Sequence, residues 1–262
     1  MTDHFQEIYA KNADKYEWLV ASEDYQGNLL PCLQRIKPLA GLDVVEMGAG
    51  TGRLTLMLAP LVKSMLAFDG SQHMLDVTID KLKNSGLSNW KVEVADNRAL
   101  PLEAASANLS IQGWSFGHFC GWYPDTWRDE IGKAVGEMKR VLRPGGTAII
   151  LETLGTGRET PQAPTEELAA YYDWLEKEQG FSATWIRTDY QFDSLGEARS
   201  LTRFFFGDEM AAAVAQRPSL HSGASCRTST ALFGWRKARD GISTSWRRGR
   251  GRSGSRRTPF VT

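Results

Sequence analysis

Short apolar runs alternate with stretches in which apolar residues recur every three or four positions, and this alternation organises the chain from residue 41 to about residue 192. Ahead of it, Phe5, Ile8, Tyr9, Tyr16 and Leu19 keep a rough helical spacing, and residues 28 to 36 continue it with Pro31 inside the first turn, so two helices are expected before the first strand. Residues 41 to 46 read as a buried central strand and 53 to 61 as the helix after it. Residues 64 to 68 form a second strand ending in Asp69-Gly70-Ser71, where Ser71 caps a helix through Met74, Leu75 and Leu82 that Gly86 closes. Residues 91 to 95 and 108 to 112 give a third and fourth strand. A helix over 127 to 142 is stopped by Arg143-Pro144-Gly145-Gly146, and 147 to 151 is the fifth strand. Short strands alternating with helices imply a parallel sheet.

Beyond it, 155 to 164 is loop and Thr165 caps a helix running to Gln179. Residues 183 to 192 alternate as one sixth strand, 194 to 206 and 208 to 216 are helical, and 228 to 235 is the one later strand candidate. The aromatic stripe of Tyr171, Tyr172, Trp174, Phe181 and Trp185 reads as core packing, with a substrate cap as the alternative.

Composition narrows the class. The 262 residues are 42% hydrophobic, enough for one substantial core. Net charge is zero but unevenly placed: from Arg217 onward there are eleven Lys/Arg against the single acid Asp240, leaving an acidic body and a basic tail. From about Lys237 the sequence is rich in Arg, Gly and Ser, with too little apolar surface to offset ordering, so disorder is expected there. Three scattered cysteines, Cys32, Cys120 and Cys226, without C-x-x-C spacing indicate neither a disulfide framework nor a zinc site. No apolar run reaches the length of a membrane span and the N-terminus has no apolar leader, so a soluble, cytoplasmic protein is expected.

The chemistry centres on Val44-Val45-Glu46-Met47-Gly48-Ala49-Gly50-Thr51-Gly52, a strand, a glycine-rich turn and a helix start. Glycines at 48, 50 and 52 permit positive φ and let a ligand lie against bare amides. The spacing is not the G-x-G-x-x-G of dinucleotide sites, nor does a Lys-Ser/Thr pair follow as in a P-loop. Glu46 would repel a pyrophosphate but suits an ammonium group.

This stretch resembles motif I of the class I S-adenosylmethionine (SAM) methyltransferases, and the resemblance extends over roughly residues 40 to 155. Asp69 ends the second strand, Asp96-Asn97 follows the third, and Met138 to Thr147 is similar to the family's helix-turn-strand entry to strand five. The resemblance implies a Rossmann-like α/β fold: a seven-stranded, mostly parallel sheet of order 3-2-1-4-5-7-6, helices on both faces, and an N-terminal helical lid. Residues 1–40 would form the lid, 41–236 the SAM-dependent domain and 237–262 the tail. It further implies SAM as cofactor, held by Glu46, Gly48, Ala49, Gly50 and Gly52 on the methionine side. Asp69 would bind the ribose hydroxyls, with Gly70 and Met74 beside it, and Asp96 and Asn97 the adenine. Tyr16 and Tyr25 would close from the lid and Trp114 from the loop after strand four. Other readings stay open: Asp69-Gly70-Ser71 and Asp96-Asn97 as plain turns, Tyr16 and Tyr25 as core aromatics.

Methyl transfer is an in-line displacement in which orientation does most of the work. The substrate wall is expected along Trp114 to Tyr123, and His118 is the candidate base, with a structural histidine packed among aromatics as the alternative. No metal is expected. The expected activity is methyl transfer to an oxygen or nitrogen of a small molecule. The competing readings are a nucleic-acid methyltransferase using the basic tail and a non-catalytic SAM-binding protein. An acidic body and the absence of an N/D-P-P-Y/F tetrapeptide speak against nucleic acid. Oligomeric state is left open.

Overall fold

In a computed structural model, which describes residues 2–215 and 224–238, the N-terminal segment forms three helices where the spacing predicted two. These are α1 (Thr2–Lys11), α2 (Ala13–Ala21) and α3 (Leu29–Ile36). The break falls at Asn12, whose φ of −130° and ψ of 35° are not helical. There the Ala13 N–H turns toward His73 Nε2, 3.5 Å away. Apolar spacing passes through such a break unchanged, because the tertiary partner that causes it lies far off in sequence.

The alternating core follows as β1 (Asp43–Met47), α4 (Arg53–Leu58) with a 3-10 turn over Ala59–Leu61 at Pro60, β2 (Ser64–Asp69), α5 (Gln72–Asn84) and β3 (Trp90–Val94). Ser71 caps α5 by accepting from Met74 N at 3.4 Å. Next come β4 (Ala107–Gly113), α6 (His118–Trp122), α7 (Trp127–Arg140), β5 (Leu142–Thr156) and α8 (Glu166–Lys177). The Arg143-Pro144-Gly145-Gly146 stretch does end the helix, but it runs extended into β5. Gly145 N donates to Lys237 O and Lys237 N to Gly146 O, both at 2.9 Å, so the far end of the chain pairs with it.

The remaining elements are β6 (Ser182–Arg187), β7 (Tyr190–Phe192), α9 (Leu195–Phe206), α10 (Asp208–Ala215), β8 (Ala224–Cys226) and β9 (Thr228–Arg236). The single sixth strand expected over 183 to 192 is in fact two strands in two sheets. Asp189 accepts from Thr228 N at 2.8 Å, and its carboxylate also pairs with Arg187. The chain leaves the large sheet there, and β7 pairs antiparallel with β8.

The large sheet has the order β3-β2-β1-β4-β5-β9-β6. β3 to β5 run parallel, and β9 is antiparallel to both β5 and β6. This is the expected Rossmann-like order, and residues 228 to 235 do pair, so β5 is not left as an open edge. One core packs on each face: Met47, Phe68, Ile150 and Phe233 with α7 and α8 on one side, and Val44, Met65, Ile111 and Leu151 with α3 and α4 on the other. Cys32, Cys120 and Cys226 are all buried. The basic tail from residue 239 on lies outside the described residues.

Candidate active site

The carboxyl ends of β1 and β2 meet at one carboxylate. Asp69 Oδ2 accepts from Gly50 N at 2.9 Å and Oδ1 from Ser71 N at 2.8 Å, joining the glycine turn to the start of α5. Burial raises the Asp69 pKa, opposed by those two N–H groups. A carboxylate has about four acceptor positions, so each oxygen keeps one for a ligand hydroxyl. The turn and the ligand readings of Asp69 are therefore compatible.

The glycine turn is shaped by different constraints at each position. Gly48, at φ +70°, has no room for a Cβ, which would overlap Ser115 Oγ and lie 2.5 Å from Ser115 Cβ. At Gly50, φ +55°, a Cβ would make an ordinary 3.5 Å contact with the buried Met74. Gly52, φ +83°, starts α4 and abuts Thr78. Ala49 is buried, its N–H bonded to Phe68 O at 2.9 Å. Over Gly70 a Cβ would meet nothing within 4 Å.

Glu46 lies inside the sheet at 2% exposure. Thr55 of α4 donates to its Oε2 at 2.5 Å, and no cation among the described residues pairs with it. Burial pushes its pKa up to about 8, with the Thr55 hydrogen bond opposing and Asp69 adding to the rise.

Asp96 and Asn97 are treated differently by the fold. Asp96 is exposed and clasped by Arg98, whose Nη2 sits 2.5 Å from Oδ2, and this holds its pKa low. Arg98 also pairs with Glu130 of α7. Asn97 instead donates through Nδ2 to Ser115 Oγ at 3.2 Å, and its Oδ1 is buried without a partner among the described residues. The open acceptor beyond β3 thus belongs to Asn97. An orphaned buried carbonyl, a carboxylate with spare acceptor positions and open space over Gly70 fit an adenosyl group along this edge.

Beyond β4 the chain turns through Trp114, at φ +54°, into α6. His118 opens α6 and is flanked by rings: Trp122 stacks on it at 5.2 Å, with Phe5 at 5.4 Å and Tyr9 at 5.5 Å. Its Nε2 and the Tyr9 hydroxyl share a 2.9 Å hydrogen bond. Burial lowers its pKa to about 4, so it is neutral at pH 7. Tyr16 packs edge-on against Tyr9 at 5.4 Å and against Phe205 of α9 at 5.6 Å, and burial raises its pKa. Tyr25 stands apart. It is 50% exposed and lines a cleft of about 420 Å³ with Arg187, Asp189 and Arg227.

Several residues that the sequence did not single out tie the N-terminal helices to this edge. Ser71 Oγ donates to Tyr9 O at 3.2 Å, and Lys81 bonds Glu17 at 2.6 Å and Thr51 O at 2.9 Å. Arg53 pairs with Glu23 at 2.7 Å and lies over the Trp114 ring at 4.3 Å. Tyr190 donates to the same Glu23 oxygen at 3.1 Å. A glutamate at 23 and an arginine at 53 carry no local signal of their pairing.

Residues 44–146 match the family model described as a methyltransferase domain. Protein YafE of Escherichia coli, itself uncharacterised, is 27% identical over 139 residues, covering 53% of this chain and 63% of the relative. The ubiquinone/menaquinone biosynthesis C-methyltransferase UbiE of a Marinomonas species is 32% identical over 117 residues, 43% of each chain. The chain thus spans less than two thirds of the length of these curated relatives. A phosphoethanolamine N-methyltransferase from Haemonchus contortus, solved with phosphomonomethylethanolamine and S-adenosylhomocysteine, shares the fold at TM-score 0.56 and 17% identity, covering 86% of this chain and 56% of that one. The matched segment holds β1 to the start of β5 and every residue from Glu46 to His118 described above, so this part of the chain is similar to a methyltransferase domain.

Proposed function

We propose that this domain binds SAM along the carboxyl edge of β1, β2 and β3 and transfers its methyl group to an oxygen or nitrogen of a small molecule. The observation that carries the reading is Asp69. One carboxylate pins Gly50 and Ser71 and still offers an acceptor on each oxygen, at the place where a ribose would bridge two strand ends. In this reading Glu46 faces the ammonium end of the ligand, Asn97 Oδ1 takes the adenine amino group, and bound SAM supplies a methyl group on a positively charged sulfur. The sequence of roles is orientation first: the chain has to hold the nucleophile about 3 Å from that carbon on the correct axis.

Residues 1–40 act as the lid in this proposal. α1 and α2 supply Tyr9 and Tyr16 to the aromatic wall, and the contacts of Tyr9 O, Glu17 and Glu23 with α5 and α4 hold them over the edge, excluding water. No helix among the described residues is long and apolar enough to cross a membrane.

Calorimetric titration tests the first part: SAM and S-adenosylhomocysteine are expected to bind at one site per chain. Absence of binding, with NAD bound instead, would sink the reading. A second reading, transfer to carbon, is favoured by the C-methyltransferase among the relatives. Mass and NMR analysis of the product formed from a cell extract decides between oxygen, nitrogen and carbon.

A further inference from the structure

The mechanism above leaves one buried carboxylate unused. Glu152 follows Leu151, which pairs with Gly113 at the end of β4, while Gln112 pairs with Met47 on its other side. Register therefore puts Glu152 at the same sheet edge as the glycine turn, two strands along, about 10 Å away at the usual strand spacing. Its side chain is 3% exposed on the face packed by α7 and α8.

Three donors converge on one of its oxygens. Gln112 Nε2 and Gly117 N each reach Oε1 at 3.0 Å, and Tyr171 OH at 3.4 Å. Oε2 takes no donor from the described residues. It lies against the bare Cα of Gly117, where a Cβ would sit 2.9 Å from it. Gly117 has an ordinary φ of −57°, so the carboxylate, not the backbone, demands glycine there. Gln112 in turn accepts from Ser115 N at 3.0 Å, and Ser115 occupies the space beside Gly48 and Asn97. A continuous polar path thus runs from the glycine turn to Glu152.

We propose that Glu152 takes the proton from the methyl acceptor, and that His118 is a wall residue fixed by Tyr9. The inference rests on the methyl-transfer reading. In the step, a lone pair on oxygen or nitrogen bonds to the methyl carbon and the carbon–sulfur pair departs onto sulfur. The proton of that oxygen or nitrogen passes to Glu152 Oε2. Charge balances: one positive sulfur and one carboxylate are both neutralised. The titratable groups facing Glu152 are Tyr9 of α1, Cys120 of α6, and Tyr171 and Tyr172 of α8, none of them cationic. With no cation in that set, the site suits an uncharged hydroxyl or amine as nucleophile, not a carboxylate or phosphate.

Burial raises the Glu152 pKa to about 7, where a carboxylate can take a proton in one step and release it to solvent in the next. His118, held at about 4 and already bonded at Nε2, is a much weaker base.

Two measurements on the full chain test this. Infrared titration of the ligand-free protein should show a buried carboxyl band lost near pH 7, absent in Glu152→Gln and retained in Glu46→Gln. A wild-type protein lacking that band would overturn the proposal. Second, SAM turnover is followed with the low-molecular-weight fraction of a cell extract as acceptor. Glu152→Gln should keep SAM affinity while losing about 10²- to 10⁴-fold in turnover and the rise in rate through pH 7. SAM affinity intact with turnover and pH profile unchanged overturns the role of Glu152 alone. A wild-type chain that binds no SAM, or releases no methyl group, overturns the methyl-transfer reading and this proposal with it.

Discussion

Glu46 and Glu152 are both buried glutamates at the carboxyl edge of one sheet, yet they sit in differently built halves. Around Glu46 and Asp69 the partners are close in sequence: Thr55 follows Glu46 by nine residues, and Gly50 and Ser71 flank a single strand-helix unit on either side of β2. Around Glu152 and His118 the partners come from afar, Gln112 and Gly117 from β4 and its loop, Tyr171 from α8, Tyr9 from the first helix. The cofactor half is a local motif that any βαβ unit can carry. The acceptor half exists only once five elements have packed, which leaves it free to vary without disturbing the first.

The sharpest way to break the cofactor half is Gly48→Ala. The new Cβ overlaps Ser115 and forces a left-handed φ on alanine, a combined cost of about 2 to 5 kcal/mol. A lowered melting temperature and loss of SAM binding are expected, and Ser115→Gly in the same chain should restore part of the stability by removing the overlap.

Glu46→Gln asks whether the buried carboxylate strains the fold. A folded-state pKa near 8 against an ordinary 4.5 means folding favours the protonated form. That contribution is complete below about pH 4.5 and is lost as pH rises through 8, on the order of a few kcal/mol. Denaturant unfolding at pH 5 and pH 9 should show wild type weakening more than the glutamine variant. A ligand ammonium would reverse the preference, so SAM affinity should rise with pH in wild type and stay flat in Glu46→Gln.

Asp69→Ala should weaken SAM binding by about 1.5 to 3 kcal/mol, as expected for a charged acceptor of hydrogen bonds. Unchanged affinity in calorimetry would leave Asp69 only its role in the turn. Tyr9→Phe, in the acceptor half, removes one partly buried hydrogen bond to His118 and should cost about 1 kcal/mol of stability in denaturant unfolding. The smallest effect is expected from removing residues 239–262, which should leave both SAM affinity and turnover on a small acceptor unchanged at physiological salt.

Much of the first half was legible without coordinates. Positive φ at Gly48, Gly50 and Gly52, the Ser71 cap, and the strand order with residues 228 to 235 paired all follow from local pattern and the family resemblance. The misses share one cause. The break at Asn12 and the division of residues 183 to 192 between two sheets each involve a hydrogen-bond partner distant in sequence. Apolar periodicity is blind to such partners. Tyr25, expected to close from the lid, lies between α2 and α3 at the cleft beside Arg187.

By itself, then, the sequence determined the alternating sheet, the glycine turn and the carboxylate at its second strand end, because backbone conformation and side-chain periodicity are set by neighbours a few residues away. Tertiary structure decided what those groups face. It buried Glu46 and Glu152 without a cation partner among the described residues, it packed His118 against rings from Phe5, Tyr9 and Trp122, and it raised the pKa of both glutamates while lowering that of the histidine. The physical reason is desolvation. The same carboxyl or imidazole has one affinity for protons in water and another inside a packed core, and only the fold says which it meets.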